Sequence, residues 1–456
     1  MSNRESRIGD FQTPLSRREW LKLASLGAVG ASASGWLENL AHAAVANPPQ
    51  QRRRSCILLW MSGGPTQTDT FDMKPDHENG GEFDPINTAT NGIRISEHLP
   101  QVARQTNDMA IIRSMTSREG DHGRATYYLR TGYLPQGAIQ YPTIGSLLSK
   151  ELGTDTSALP NFVSIAPYRR FNPAAFAPGF LGPRFAPLLV GDQVVINRQQ
   201  DNYDEALRVQ DLELPSNVTT AQADSRINIL QQMEQEFVTQ HPGVSAQSHQ
   251  TAYQRAVRLM RTEAAAAFNL EDENAQTRDR YGRNLFGQGC LLARRLVERG
   301  VPFIEVNLSG FGGNALGWDT HNRNFENVER LCDILDPAWA SLMNDLRQRG
   351  LLETTTIVWM GEFGRTPRIN RNGGRDHFPA AWSAVLAGGG IDGGRTYGAT
   401  SADGTTVADN AVTVPDLLAT VCSAVGINPR QQNMSNIGRP IRITDPVGSP
   451  IEEVLS

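Results

Sequence analysis

The stretch Cys56-Ile57-Leu58-Leu59-Trp60-Met61 decides the fold class, because an uninterrupted apolar run of this length is typical of a strand buried on both faces. It ends at Ser62-Gly63-Gly64-Pro65, whose glycines and proline predict a turn. Similar strands are predicted at 110–115, 161–165, 303–308, 354–360 and 382–387. Helical patterns fall between them at 123–130, 284–299, 327–349 and 414–425. This alternation predicts an α/β fold with a mostly parallel central sheet flanked by helices on both faces.

The predicted sheet belongs to a single α/β domain over residues 56–445. Residues 166–200 are rich in Pro, Gly, Phe and Arg, which indicates an irregular insertion. Residues 201–275 are polar with helical spacing, and we expect them to form a helical insertion.

The first 44 residues have the order of an export signal. The segment Ser16-Arg17-Arg18-Glu19-Trp20-Leu21-Lys22 resembles a twin-arginine motif, a weakly apolar run follows at 23–40, and Ala41-His42-Ala43 is a small-x-small cleavage signature. Residues 45–55 then form a linker. An amphipathic helix and an uncleaved anchor are the alternatives. We expect export by the twin-arginine translocase to the periplasm or cell envelope, without a stable membrane span after cleavage, because the apolar run is short and broken by glycine.

Charge and cysteine content exclude two classes of function. The net charge of −5 and the pI near 6.0 argue against nucleic acid as a partner. The four cysteines are far apart without a CxxC pair, which argues against a cysteine metal site. Three of them lie in apolar stretches and are predicted to be buried thiols, although one disulfide in an oxidising compartment stays open. The cysteines are Cys56, Cys290, Cys332 and Cys422.

Polar side chains cluster after the predicted strands, at the edge where open α/β sheets form their sites. Carboxylates and imidazoles of this kind suit Zn²⁺, Mn²⁺ or Mg²⁺. Three of the seven histidines beyond residue 44 lie in these segments, which favours one shared site. The other four, His77, His98, His241 and His249, have no such context and are assigned surface roles. The candidates are Asp69, Asp72, Asp121, His122, Asp319, His321, Glu362, Asp376 and His377.

Three arginines lie beside these candidates, namely Arg124, Arg365 and Arg375. Arginine binds phosphate or sulfate with two parallel hydrogen bonds. Structural salt bridges with the neighbouring carboxylates are the equally weighted alternative.

Six segments together resemble a bacterial family called "domain of unknown function 1501", and the resemblance covers nearly all of residues 50–440. That family resembles a branch of the alkaline phosphatase and sulfatase superfamily, which has a parallel-sheet α/β core, holds one or two divalent metals and cleaves phosphate or sulfate esters. The resemblance implies a divalent metal (Zn²⁺, Ca²⁺, Mg²⁺ or Mn²⁺) and, as substrate, a phosphorylated or sulfated small molecule or glycan. The segments are residues 60–65, 69–72, 121–125, 318–321, 361–367 and 374–377.

The resemblance also implies roles for single residues. The superfamily nucleophile opens a helix ending in Thr-Gly, and counting back from Thr131-Gly132 places His122 at that position, where the resemblance implies a phosphorylatable nucleophile or a metal ligand. Glu362-Phe363 matches an Asp-His metal pair, in which Glu replaces Asp but Phe does not replace His. His377 matches the last histidine of the superfamily site. Asp319 and His321 resemble the other metal pair.

One superfamily ligand has no direct counterpart. Ser62-Gly63 stands where the first strand normally supplies an aspartate, for which Asp69 or Asp72 is the expected substitute.

These roles give a first hypothesis and two competing ones. In the first, a metal held by Asp319, His321, Glu362, Asp376 and His377 acts in ester hydrolysis. His122, oriented by Asp121, is then nucleophile or general acid/base, and Arg124 or Arg365 stabilises negative charge. The second is a non-catalytic envelope protein that binds a sulfated or phosphorylated glycan or a partner protein. The third, weaker one is a redox partner, for which the sequence has no haem or nucleotide motif.

Overall fold

The computed structural model describes residues 54–456 apart from 136, 192–202, 210–211, 213, 215–216, 242–243, 262 and 310–315. The predicted export signal at 1–44 and nearly all of the predicted linker at 45–55 lie outside the described residues.

A nine-stranded sheet forms the centre of the described chain, in the order β12-β4-β11-β8-β1-β7-β5-β6 with β15 also paired to β4. The other strands form four two-stranded sheets. The strands are β1 Ser55–Met61, β2 Pro85–Asn87, β3 Arg94–Ser96, β4 Met109–Thr116, β5 Phe162–Ile165, β6 Leu188–Val190, β7 Phe303–Leu308, β8 Thr355–Met360, β9 Gly364–Arg365, β10 His377–Phe378, β11 Trp382–Gly388, β12 Arg395–Tyr397, β13 Ala399–Thr400, β14 Val407–Asp409, β15 Val412–Thr413, β16 Gln432–Met434 and β17 Pro440–Arg442.

Helices cover both faces of the sheet. They are α1 Pro100–Ala103, α2 His122–Thr131, α3 Ile144–Leu152, α4 Tyr203–Ala206, α5 Thr220–Gln240, α6 Val244–Arg261, α7 Ala275–Tyr281, α8 Leu285–Glu298, α9 Asn324–Gln348 and α10 Val414–Ala424.

Strand β1 lies at the middle of the sheet, and its alternate residues enter two separate apolar cores. Ile57 and Leu59 pack in one core with residues of α8 and α9. Leu58 and Trp60 pack in the other with residues of α3 and α10. Because successive strand residues point to opposite faces, a run that is apolar throughout needs helices on both sides. The predicted α/β fold with a mostly parallel sheet flanked by helices is confirmed.

The direction of β11 decides what reaches the carboxyl edge of the sheet. Strands β7 and β8 run parallel to β1, whereas β11 runs antiparallel to both β8 and β4. Strands β1, β4, β7 and β8 therefore end at one edge, and β11 begins there. The segment that precedes β11, which contains His377, consequently joins the turns that follow the parallel strands.

Some elements differ from the sequence expectation. Helix α3 is absent from the prediction, although Thr143 caps its start by accepting a hydrogen bond from Ser146 N at 3.2 Å. The predicted irregular insertion at 166–200 contributes strand β6, which pairs with β5. Edge strands β6, β12 and β15 are two or three residues long, too short to carry a periodic signal.

Two further observations concern the described helices and the four cysteines. No helix within the described ranges has the length and apolar character to cross a membrane. All four cysteines are buried free thiols, and burial raises the pKa of each.

Candidate metal centre

The turn after β1 holds Asp319 at the carboxyl edge. Trp318 N donates a hydrogen bond to Ser62 O at 3.2 Å. Gly63 has a φ of +115°, and a Cβ added there would lie 2.7 Å from the carbonyl carbon of Trp318. Only glycine allows this backbone conformation and this close approach. The Gly63 turn therefore sets the position of Asp319.

Three imidazoles converge on one oxygen of Asp319. Its Oδ1 lies 3.4 Å from His122 Nε2, 3.1 Å from His321 Nε2 and 3.3 Å from His377 Nε2. The Nε2 atoms of His321 and His377 are 3.0 Å apart. In a tetrahedral zinc site with bonds of about 2.0–2.1 Å, neighbouring ligand atoms are roughly 3.3 Å apart. The distances from Asp319 Oδ1 to the three Nε2 atoms, and the distance between His321 and His377, thus match those between ligands of one metal ion.

The other ring nitrogen of each histidine is held by an acceptor. His122 Nδ1 lies 2.7 Å from Glu362 Oε1, His321 Nδ1 lies 2.7 Å from Asp376 Oδ1, and His377 Nδ1 lies 2.8 Å from Gly120 O. An acceptor at Nδ1 places the hydrogen there and leaves a lone pair on Nε2 of the neutral ring. Three lone pairs and a carboxylate oxygen then face one another, which requires a cation between them, either protons or a metal ion.

His122 supplies the clearest unsatisfied atom. Its buried Nε2 has no hydrogen-bond partner in the part of the chain that the structure describes. Buried polar groups are rarely left unpaired, and each exception needs an explanation. Together with Asp319 and His377, His122 forms a group whose ligand atoms lie within 4.8 Å of one another. A metal ion fits this donor set of two nitrogens and one oxygen, and His321 Nε2 lies 3.0 Å from His377 Nε2 beside it.

Local structure explains how His122 and Glu362 meet across 240 residues. His122 is the first residue of α2, whose N-cap Asp121 accepts a hydrogen bond from Arg124 N at 2.9 Å. Glu362 follows β8, and its Oε1 also accepts a hydrogen bond from Gly63 N at 2.9 Å. Asp121 therefore caps the helix, while Glu362 is the carboxylate that contacts the His122 ring.

The Phe363 ring packs against two histidine rings of the cluster. Its centroid lies 5.0 Å from the His122 ring and 4.7 Å from the His377 ring, and the side chain is fully buried. Phe363 thus supports two of the three imidazoles by packing.

Electrostatics favours a cation at His122. Burial lowers the pKa of His122, but the nearby carboxylates of Asp319 and Glu362 outweigh burial and raise the pKa to about 9. Burial raises the pKa of Asp319, yet His122, His377 and Arg365 hold it well below its usual range. The hydrogen bond from His321 lowers the pKa of Asp376. Without a metal, a proton therefore occupies His122 at neutral pH.

The family model described as "Protein of unknown function (DUF1501)" matches residues 53–455. The chain belongs to this family. Every residue of the cluster lies within the match. No curated protein matches the sequence.

Solved structures similar to this DUF1501 chain come from several bacteria. The lipoteichoic acid synthase LtaP from Listeria monocytogenes is 11% identical with a TM-score of 0.39, covering 86% of this chain and 74% of that chain. A protein in the alkaline phosphatase superfamily from Vibrio parahaemolyticus is 14% identical with a TM-score of 0.38, covering 83% and 67%. The C-terminal periplasmic domain of EcEptC from Escherichia coli, in complex with Zn, is 11% identical with a TM-score of 0.37, covering 82% and 83%. These likenesses are weak, so they assign no role to any residue of the cluster.

The Arg365 side chain of this DUF1501 chain is buried and donates hydrogen bonds to backbone carbonyl groups beside the cluster. Its Nε donates to Gly64 O at 3.1 Å, one Nη2 bond goes to Gly63 O, and another reaches Asp319 Oδ1 at 2.6 Å. Arg365 therefore orients Asp319 and joins it to the turn after β1. Arg124, the other arginine predicted to contact a substrate anion, has a side chain that is 64% exposed and pairs with Glu119 at 2.8 Å.

The structure does not bring Asp69, Asp72 or Arg375 into the cluster. Asp69 and Arg375 form a fully buried two-pronged ion pair with both bonds at 2.7 Å. Asp72 bonds Lys74 at 2.9 Å and also accepts from Thr400. For these three residues the observed arrangement is the structural salt bridge or hydrogen bond, not a metal ligand.

Sequence reasoning missed some supporting groups. The Gly120 carbonyl that holds His377 is a backbone atom without any sequence signal. Asn370 Nδ2 donates to His321 O at 3.0 Å and to Asp376 Oδ1 at 3.2 Å, and an asparagine in a loop gives no distinctive pattern. The histidines assigned surface roles lie elsewhere, His77 accepting from Asn79 N, His98 packing on Phe83, and His241 stacking on Phe237.

Proposed function

We propose that this DUF1501 protein is an exported, metal-dependent hydrolase of a phosphate or sulfate ester. The observation that carries the proposal is the convergence of three imidazole Nε2 atoms on Asp319 Oδ1. Three nitrogens and one carboxylate oxygen suit Zn²⁺ among the common divalent ions. The motifs shared with the alkaline phosphatase and sulfatase superfamily support an ester as the substrate. A bound divalent metal would supply the charge that polarises an ester oxygen and lowers the pKa of water.

The proposed ligands are His122, Asp319, His321 and His377. The acceptors at each Nδ1 fix the ring orientation and tautomer, which leaves a lone pair on each Nε2 atom near Asp319 Oδ1. Glu362 and Asp376, expected as ligands from the sequence, act in this arrangement as positioning residues.

The remaining candidates act on charge and orientation. Arg365 holds the carboxylate of Asp319 in place. Arg124 lies in the first turn of α2, two residues beyond His122, and its exposed guanidinium supports a role in binding the anionic group of the substrate. His122 carries a proton when no metal is present, because its pKa is raised to about 9. Metal and proton therefore compete for the same nitrogen.

Metal content and turnover test the proposal together. We expect the purified wild-type protein to bind about one Zn²⁺ per chain and to hydrolyse 4-nitrophenyl phosphate or 4-nitrophenyl sulfate. Asp319→Ala and His377→Ala are expected to lose both metal and turnover, whereas His241→Ala, at an exposed histidine outside the cluster, keeps both. A wild-type protein without stoichiometric metal, or Asp319→Ala with unchanged turnover, would contradict the proposal.

A binding protein without turnover is the second candidate. The observation that favours it is Phe363, which is fully buried where the superfamily resemblance calls for a metal-binding histidine and which offers no ligand atom. This candidate predicts bound metal and binding of a sulfated or phosphorylated glycan, with no hydrolysis of either aryl ester.

Export by the twin-arginine translocase is proposed from the motif at Arg17-Arg18. Replacing both arginines by lysine is expected to leave the protein in the cytoplasmic fraction of the cell, while wild type reaches the periplasm or envelope. Equal export of both proteins would count against this route.

A further inference from the structure

An exposed aromatic side chain lies beside the His122 ring of the metal cluster. Phe171 is 54% exposed, and its ring is nearly parallel to the His122 ring, with an interplanar angle of 14° and a centroid distance of 5.8 Å. Single exposed apolar residues are common on protein surfaces, so exposure alone means little. The position of this ring, beside a proposed metal ligand, is the informative observation.

The loop that carries Phe171 is held against the start of α2. Asn172 Nδ2 donates a hydrogen bond to Gly123 O at 2.9 Å. A Cβ added at Gly123 would lie only 3.2 Å from Phe171 O, so the glycine allows the loop backbone to approach the helix. The ring therefore has a defined place relative to His122.

Backbone conformation at the start of this loop supports the same conclusion. Ala166, the residue after β5, has a φ of +52°, in the left-handed region that residues with a Cβ rarely adopt. Such residues persist where the surroundings enforce them, and they cluster at functional sites. Here the unusual turn opens the loop whose Phe171 ring lies beside the His122 ring.

The surroundings of Phe171 combine aromatic and cationic groups. Tyr168 packs its ring edge-on against Phe171, with centroids 5.4 Å apart and planes at 64°. Arg170 is exposed next to Phe171 in the chain, and the exposed guanidinium of Arg124 belongs to the adjoining turn of α2. A supported ring beside cations is suited to a ligand that has both a flat or apolar ring face and an anionic group.

We propose that Phe171, supported by Tyr168, is a stacking subsite for the ring of the substrate whose phosphate or sulfate group reaches the metal cluster. The substrate is then an ester of a ring-bearing alcohol, either a sugar or an aryl alcohol, and not of a short alkyl chain. This inference rests on the proposed function, because it assumes that an anionic ester group binds at the cluster.

Calorimetric binding of non-hydrolysable anions to the zinc-loaded protein tests the subsite without using turnover. We expect phenylphosphonate to bind wild type about 3- to 10-fold more tightly than methylphosphonate, as stacking of one ring contributes. Phe171→Ala should abolish this preference and leave the Kd of methylphosphonate unchanged, while Phe171→Tyr should retain it. Phe237→Ala is the matched control, because Phe237 has the same 54% exposure on α5 and lies outside the cluster. The phosphonate analogue of glucose 1-phosphate, in which a methylene group replaces the ester oxygen, distinguishes a sugar ring from an aryl ring in the same series.

Three results would overturn the subsite: a ring preference that survives in Phe171→Ala, an equal weakening of both phosphonates by that substitution, or no binding of either phosphonate to wild type. The equal weakening would mean that Phe171 only supports His122. Zinc content and ester turnover of the wild type decide the proposed function separately. A protein that holds zinc, hydrolyses an ester and binds both phosphonates alike keeps the proposed function and loses the subsite.

Discussion

Glu362→Gln tests whether a buried carboxylate sets the metal affinity of the cluster. Glu362 Oε1 accepts hydrogen bonds from His122 Nδ1 at 2.7 Å and from Gly63 N at 2.9 Å. A glutamine has nearly the same shape, and its amide oxygen can accept both bonds, but it lacks the negative charge that makes the imidazole a stronger ligand. Loss of such a partner typically weakens metal binding about 10- to 100-fold. We therefore expect the zinc Kd to rise by that factor, which corresponds to about 1.4–2.7 kcal/mol.

Asp376→Asn provides the matched comparison. Asp376 also holds a histidine at 2.7 Å, but its side chain is 52% exposed, compared with 2% for Glu362. Because water screens an exposed charge, we expect Asp376→Asn to raise the zinc Kd by about fivefold or less. Competition with a chromophoric chelator measures each Kd, and circular dichroism checks that both variants fold. An unchanged Kd for Glu362→Gln, or a larger loss for Asp376→Asn, would refute the reasoning.

Three further predictions concern the stability of the fold and are checked by urea or thermal unfolding. Gly63→Ala should lower the free energy of unfolding by at least about 2 kcal/mol, because Gly63 has a φ of +115° and close backbone contacts. Gly92→Ala should lower it by about 1 kcal/mol, because Gly92 has a φ of +82° but nothing within 4 Å of an added Cβ. Equal losses would contradict the role of close packing. Arg130→Met leaves the buried Glu305 carboxylate without its ionic partner and should lower the free energy of unfolding by about 3–5 kcal/mol. The double variant with Glu305→Leu should recover part of this loss. A double variant whose loss equals the sum of the two single losses would contradict the reasoning. Folding raises the pKa of His122 from 6.5 to about 9, so the folded state binds this proton more tightly, and the metal-free protein should lose stability as pH rises between those values; His122→Ala should lack that slope.

Local patterns predicted the central elements well. The apolar run at 56–61 lies in β1, and the helical patterns at 284–299 and 414–425 correspond to α8 and α10 with ends shifted by at most one residue. These patterns depend on side chains a few positions apart, which the sequence contains directly. Helix α9 begins at Asn324, three residues before the predicted start, and continues through Pro337. Packing against neighbouring helices overrides the local penalty of a proline there.

The direction of β11 could not be predicted from its apolar run, because both faces of the run are buried whichever way the strand points. Its antiparallel pairing with β8 brings His377 to the edge where β1 and β8 end. The short edge strands likewise form only because β4 and β5 offer unpaired backbone groups beside them.

By itself the sequence determined the α/β fold, the family, and the residue types that meet at the site, including His122, Asp319, His321 and His377. Only the tertiary structure decided which carboxylate lies beside the Nε2 atoms of the histidines and which carboxylates hold the rings at Nδ1. Glu362 contacts His122 from 240 positions away, and Asp69 is paired with Arg375 across 306 positions. Such contacts are made by chain segments that meet only after the sheet has formed. Whether a carboxylate is a ligand, a positioning group or half of a buried ion pair depends on distances of a few ångströms, set by long-range packing rather than by neighbours in the chain.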